Sequence, residues 1–344
     1  MHKQENILFI TDSFYPYAGG VEKHVFELSK KIIEDGHKVT VLTYKKKKGD
    51  ADKENISGIK IYRLSKTSGK YSNFAGIMFQ IFSKDILKST YDIIHYHDYS
   101  VFNIMHPILS LNREIRKNKT YITFHGWEGI FPLTDYIKNK RKYASEKTNG
   151  NICVGHFIEK WYETRADIIT YGAVEEQKSD ANSENTILYA GRLEPDTGFP
   201  VLLESFGEIN KLHPEYKFVI LGNGTLTDTL KDYPNVIYKG WVKDTAEYIS
   251  KSEVVFASGY LSMLEAFIMK KKVLGYYNNE LKKDYFEMIP HCQDLMWTAG
   301  SKDEVIKMFE DMLSSNEKIN SAYSFAKEYS WDSLKQDYYR LWNL

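Results

Sequence analysis

A β-type run, Asn6 to Thr11, leads through a loop with Pro16 and Gly19-Gly20 into a helix-patterned stretch and then a second β-type run, Lys38 to Thr43. Val21, Val25, Leu28 and Ile32 recur at helical spacing, and Gly36 offers a stop before the second run. Strands joined by a helix of this length lie parallel in one sheet, since a crossover rather than a hairpin connects them. The alternation continues with β-type runs at Ile59 to Leu64, Tyr91 to His97, Thr120 to His125, Asn151 to Val154 and Asp167 to Tyr171, separated by patterned stretches such as Phe74 to Leu87 and Val101 to Leu109. Val174 to Glu184 is polar and reads as a linker. The pattern then restarts with Thr186 to Ala190, Lys217 to Leu221, Asn235 to Tyr238, Val254 to Ala257 and Val273 to Tyr277, interleaved with helices near Gly198 to Lys211, Thr227 to Asp232, Thr245 to Ser250 and Ser262 to Lys270. An α/β chain of two doubly wound parallel sheets, residues 1–173 and 185–330, with a cleft between them is expected. The amphipathic tail, Trp331 to Leu344, keeps Leu334, Tyr338 and Leu341 on one stripe.

Hydrophobic residues at 42% and charged residues at 27% exclude disordered and fibrous classes. The run Ile7 to Ile10 is too short for a secretory core, and nothing approaches the roughly 18 apolar residues of a membrane span, so a cytoplasmic, non-spanning chain is expected. Cys153 and Cys292 stand outside any metal or disulfide spacing and are expected to be buried thiols. Net charge is zero, but residues 1–172 carry 27 Lys and Arg against 19 Asp and Glu, and the remainder carries the reverse. A basic half suits a phosphorylated acceptor or peripheral contact with an anionic membrane, with Lys138, Lys140, Arg141 and Lys142 as first candidates; ordinary solvated lysines are the competing reading. No nucleic-acid partner is indicated.

Ligands of open α/β sheets sit beyond the carboxyl ends of the strands, where loops feed helix N-termini. Gly19-Gly20 occupies such a place and lets backbone approach an anion near the positive end of a helix; alone, the pair is more often a plain turn than a phosphate site. His95 and His97 share a strand face and, with Asp98, have metal-ligating chemistry, although structural histidines are the commoner case. His125 ends another strand beside Gly126. In the second half, Gly191-Arg192-Leu193 follows a strand, and an arginine there can fork onto phosphate oxygens. Gly222-Asn223-Gly224 lacks the third glycine of a dinucleotide fingerprint, with Thr227 in its place, which disfavours NAD. Gly259-Tyr260-Leu261 precedes a helix expected from Ser262. Glu265 lies three residues after Ser262, a capping-box spacing, yet its carboxylate could equally accept two ribose hydroxyls. Asp50-Ala51-Asp52 has a metal-binding form but lies in a lysine-rich polar loop and is read as accidental.

Together, Gly19-Gly20-Val21-Glu22-x-His24-Val25, Asp92-Ile93-Ile94-His95-x-His97, Thr123-x-His125-Gly126, Gly191-Arg192-Leu193 and Leu264-Glu265-Ala266 resemble the retaining glycosyltransferases of family 4 in order and spacing over nearly the whole chain. The resemblance implies the GT-B fold, two Rossmann-like domains with a UDP- or GDP-linked sugar donor bound mainly by the second and a glycan or lipid-linked acceptor by the first. It implies a last helix, Trp331 to Leu344, crossing back to the first domain. Carried over, Arg192 holds the donor diphosphate, Glu265 the ribose hydroxyls, and His125 touches the transferred sugar. Gly19 and Gly20 close on the phosphates, while Gly222, Gly224, Gly259, Tyr260 and Leu261 line the donor side. Retention by front-side attack demands no cofactor, metal or dedicated carboxylate base. Two departures stand out: the family's phosphate lysine falls on Thr197, and the first glutamate of its Glu-x7-Glu pattern falls on Ala257. A catalytically silent sugar-nucleotide binder and a nucleotide-sugar epimerase are the alternatives.

Overall fold

The computed structural model describes residues 3–17, 19–66, 70–83, 86, 89–113, 115–177 and 184–344. The first sheet comprises β1 (Asn6–Thr11), β2 (Lys38–Tyr44), β3 (Lys53–Ile56), β4 (Ile59–Leu64), β5 (Ile93–His97), β6 (Lys119–Phe124), β7 (Gly150–Val154) and β8 (Ile168–Thr170). The second comprises β9 (Thr186–Ala190), β10 (Lys217–Leu221), β11 (Val236–Gly240), β12 (Val254–Ala257), β13 (Lys272–Tyr276) and β14 (Trp297–Ala299). Their orders are β3-β4-β2-β1-β5-β6-β7-β8 and β11-β10-β9-β12-β13-β14. Every pairing is parallel except β3 with β4. The winding reverses between β1 and β5 in one sheet and between β9 and β12 in the other, which is where an open sheet leaves a crevice for ligands.

Alternation along each strand sorts side chains onto two faces. In the first sheet Ile7, Phe9, Val39, Val41 and Ile93 pack under helix Gly20–Glu34 and the tail helix Trp331–Trp342, while Leu8, Ile10, Leu42, Ile94 and Tyr96 pack under helix Tyr99–Leu109. One apolar cluster runs from that second face through Phe157, Tyr171, Tyr260 and Tyr285 into the second sheet, so the two sheets share packed side chains. The tail helix is capped by Ser330, whose side chain accepts from the Ser333 N–H, and it buries Trp331, Leu334, Tyr338, Leu341 and Trp342.

Several boundaries differ from expectation for local reasons. The Asp50 region enters a hairpin, β3 to β4, turning through Ser57 and Gly58 at φ 53° and 82°. Asp50 accepts from the Lys46 and Lys47 N–H groups and from the Tyr17 hydroxyl, and Asp52 pairs with Lys45, so the Asp-x-Asp run is consumed in holding its loop. Asp92 lies outside β5, its carboxylate accepting from the Asn6 N–H. Thr227–Asp232 is a 3-10 turn, and helix Phe199–Leu212 begins after Gly198, which sits at φ 79°. Helix Lys70–Ser83 starts before the expected Phe74, and the expected end, Leu87, lies outside the described residues, as does most of the expected linker, 178–183. Both cysteines are buried and free.

Candidate functional site

The crevices of the two sheets face each other. On the first, Gly19 caps helix Gly20–Glu34. The Glu22 carboxylate folds back over Gly19, where a Cβ would displace it, whereas a Cβ at Gly20 would meet nothing within 4 Å. Lys23, one turn in, reaches across the cleft to Glu265 Oε1 at 2.5 Å.

Behind this loop lies a buried polar chain. His24 Nε2 meets the Tyr338 hydroxyl at 2.8 Å, that hydroxyl meets Thr123 Oγ1 at 2.7 Å, and Thr123 Oγ1 meets His95 Nε2 at 2.8 Å. The Trp342 indole N–H donates to His95 Nδ1 at 3.1 Å, so the tail helix is built into the floor of the site. His97 Nδ1 lies 3.1 Å from His125 Nε2, and His24 packs edge-on against His125 with ring centroids 4.8 Å apart. Burial holds His24 down at about 3 and keeps His95, His97 and His125 well below the usual imidazole range, so all four are neutral. The metal set suggested by His95, His97 and Asp98 does not assemble, because His95 spends both ring nitrogens on Thr123 and Trp342. Among the described residues, the group with metal-ligating geometry is instead His24, His97 and His125, each offering a ligand atom within 4.8 Å of the others. His24 and His97 already use one nitrogen each in hydrogen bonds, while His97 Nε2 is buried without a partner.

The loop after β6 that carries His125 is clamped from below. Arg141 donates to Glu128 Oε1 from Nε at 2.9 Å and from a terminal nitrogen at 2.7 Å, and to the Gly126 carbonyl at 2.9 Å. This corrects the expectation that Arg141 faces a membrane: its guanidinium is buried over the Tyr162 ring. Lys142 is exposed and lies 3.5 Å from Glu163, while Lys138 and Lys140 are half-buried. Asp98 follows β5 and caps helix Tyr99–Leu109 at φ 87°, and burial pushes its carboxyl up to about 6.

On the second sheet, the loop after β9 places Arg192 at the cleft. The Arg192 carbonyl accepts from Tyr189 and Thr197 hydroxyls at 2.7 and 3.1 Å, while its guanidinium is 65% exposed and donates to Asp196 at 2.6 Å. Thr197 is buried and also donates to the Glu194 carbonyl at 2.7 Å, so it braces the turn and does not open to the cleft. Gly222 and Gly224 are explained by packing: a Cβ on either would strike the Gly191 or Leu193 carbonyl of the neighbouring loop.

The helix after β12 starts at Tyr260, two residues earlier than expected, which removes the capping-box reading of Glu265. Ser262 instead donates back to the Gly259 carbonyl at 2.9 Å. Glu265 stands one turn further on, half-buried, its second oxygen accepting from the Thr245 hydroxyl at 3.1 Å. The Tyr260 N–H is used by the Tyr285 hydroxyl, and the Tyr260 ring is buried against Tyr285 rather than lining the cleft. Leu261 shares the Glu265 face of the helix, and its N–H is one of the first-turn donors that a helix leaves unpaired. Arg192 and the helix bearing Leu261 and Glu265 thus follow neighbouring strand ends of the second sheet, and the Gly20 helix and His125 belong to the facing first sheet, Lys23 bridging to Glu265. Lys23, Thr245, Asp196 and Glu128 escaped sequence reasoning, since each is recognisable only by its partner.

Residues 18–169 match the Glycosyltransferase Family 4 profile and residues 173–270 the Glycosyl transferases group 1 profile. Among curated relatives, the phosphatidylinositol N-acetylglucosaminyltransferase gpi3 subunit of Schizosaccharomyces pombe is 28% identical over 231 residues, covering 62% of this chain and 50% of its own length. The chain thus spans about half the length of the curated relatives it matches first. Sucrose-phosphate synthase from Thermosynechococcus elongatus superposes with a TM-score of 0.76 at 14% identity, covering 99% of this chain and 98% of that one. HepE from Anabaena, solved in complex with UDP and glucose, gives 0.73 at 14% identity, covering 98% and 99%. With two profiles matched in order across most of its length and two facing doubly wound sheets, the chain belongs to the glycosyltransferases of family 4 and has the GT-B fold.

Proposed function

We propose that the chain moves a hexose-type sugar from a nucleotide-diphosphate sugar to a hydroxyl of a glycan or lipid-linked acceptor, with retention at the anomeric carbon. The observation that carries this reading is that Arg192 and the helix bearing Leu261 and Glu265 follow the adjacent carboxyl ends of β9 and β12, with Glu265 meeting Lys23 of helix Gly20–Glu34 from the facing sheet. In it, Arg192 exchanges Asp196 for phosphate oxygens, and Glu265 exchanges Lys23 and Thr245 for the two ribose hydroxyls. Neutral His125 hydrogen-bonds the sugar without competing for the phosphate. The bond from the anomeric carbon to the phosphate oxygen breaks, the acceptor oxygen bonds to that carbon from the same face, and the acceptor proton passes to a phosphate oxygen. Fixed donors around the departing diphosphate lower the barrier through electrostatic stabilisation, and the scheme requires no metal or cofactor.

The name of the fission-yeast relative makes nucleotide-linked N-acetylglucosamine the first donor to test and phosphatidylinositol the first acceptor. A lipid acceptor is further supported by helix Lys70–Ser83, which exposes Phe79 and Phe82 three residues apart on one face. No helix among the described residues is long and apolar enough to cross a membrane, so contact would be peripheral. Incubation with labelled UDP- and GDP-sugars, with and without phosphatidylinositol vesicles, tests the reading. Labelled lipid or glycan product supports it; epimer formation, or nucleotide binding with neither product, selects one of the alternatives. Co-sedimentation that is equal for neutral and anionic vesicles removes the membrane component.

A further inference from the structure

Helix Glu280–Glu287 buries a lysine that the scheme above leaves unused. Lys282 is 4% exposed, and its ammonium donates a hydrogen bond to the Ser258 carbonyl at 3.2 Å. The same nitrogen lies 3.9 Å from the Tyr285 ring centre and 4.9 Å from that of Phe286. An ammonium has three hydrogens to donate. Asp196 acts on it as an opposite charge without a hydrogen bond, and Asp196 is already bound by Arg192. A cation this buried, bonded among the described residues to one carbonyl and to no carboxylate, is a poor packing residue, because methionine would fill the space without the desolvation cost.

Its location suggests what the charge is for. Ser258 follows β12, and its hydroxyl donates to the Ala190 carbonyl at the end of β9 at 2.8 Å, so the backbone that Lys282 touches is the strap across the switch point of the second sheet. Arg192 leaves that strap on one side and helix Tyr260–Ile268 on the other. Thr197, where the resemblance called for a phosphate lysine, is turned inward.

We propose that Lys282 is an anion-binding residue of the donor site, supplying from helix Glu280–Glu287 the second positive charge for the leaving diphosphate. The inference rests on reading the cleft as a nucleotide-sugar site. Burial draws the ammonium down from 10.5 to about 7, with Arg192 opposing its protonation and Asp196 favouring it from the loop after β9. Tyr285 and Phe286, on its own helix, contribute uncharged ring faces. A diphosphate arriving above neutral pH therefore draws a proton onto the Lys282 nitrogen, and binding takes up protons from the buffer.

Calorimetric titration of UDP, GDP and inorganic pyrophosphate, above neutral pH and in two buffers of different ionisation enthalpy, tests this on the wild type, Lys282→Met and Lys282→Gln. Both variants are expected to bind at least about tenfold more weakly, the loss of one charge-assisted contact, and to lose the proton uptake. The ligand-free melting temperature of Lys282→Met should hold or rise. Weak binding by Met with wild-type binding by Gln would assign Lys282 to tethering Ser258 and overturn the proposal, as would unchanged affinity and proton uptake in both variants. If the wild type binds none of the three probes, the donor-site reading itself fails; if it binds and the variants match it, only the role of Lys282 fails.

Discussion

Replacing Arg141 with Met should destabilise the first domain and loosen the His125 loop together. The side chain is 1% exposed against 16% for Glu128, and the exchange deletes two bonds to that carboxylate and one to the Gly126 carbonyl. It also removes the cation 4.1 Å above the Tyr162 ring, while Glu128 keeps the Tyr162 hydroxyl at 2.7 Å. Breaking a buried pair by removing one partner costs about 3–5 kcal/mol, and the lower end applies because Glu128 retains some access to water. At about 2–4 °C per kcal/mol for a domain of this size, the unfolding midpoint should fall by roughly 6–12 °C. The double variant Arg141→Met/Glu128→Gln removes the orphaned charge and should recover on the order of 2 kcal/mol. Urea unfolding of the four proteins in the cycle supplies both numbers. A single variant within about 1 kcal/mol of wild type, or a double variant no more stable than the single, would refute the account of Arg141 as a buried clamp.

The four histidines of the cluster make the fold acid-sensitive: each has a folded pKa below its ordinary 6.5, so the unfolded chain binds more protons and stability falls as pH drops below that value. Each contributes up to about 1.4 kcal/mol per pH unit, and Asp98, raised to about 6, opposes the trend with the reverse sign. Urea unfolding that gives the same stability at about pH 7 and about pH 5.5 would falsify the neutral cluster. Arg192→Ala should weaken UDP or GDP binding by about 1.5–3 kcal/mol, roughly tenfold or more, and an unchanged calorimetric affinity would exclude Arg192 from the donor site. Glu265→Gln should weaken a nucleoside diphosphate more than its 2'-deoxy analogue, and equal losses on the two ligands would count against ribose recognition.

The alternation of β-type runs and amphipathic helices was legible because it is local: apolar spacing along a few residues sets which element forms and which face it buries. Placement at the ligand edge also comes from local order: His125 and Arg192 come just after β6 and β9, and Gly19-Gly20 and Glu265 lie in the loop and helix that follow β1 and β12. Other features needed the tertiary structure. Lys23 and Glu265 are far apart in the chain and meet only because the two crevices face each other. Arg141 reads as one charge in a solvated run, yet its face of helix Asp135–Lys147 is covered by Tyr162, Tyr99 and the His125 loop, and that cover makes it a clamp. His95 and His97 share a strand face as their spacing requires, but the tail helix brings Trp342 onto His95 while His97 pairs with His125 from the loop after the neighbouring strand. Thr197 turns inward for the same reason, its hydroxyl spent on the Arg192 and Glu194 carbonyls. The energy of a charge or hydroxyl depends on what packs around it, and crossovers between distant segments, which no local pattern encodes, decide that packing.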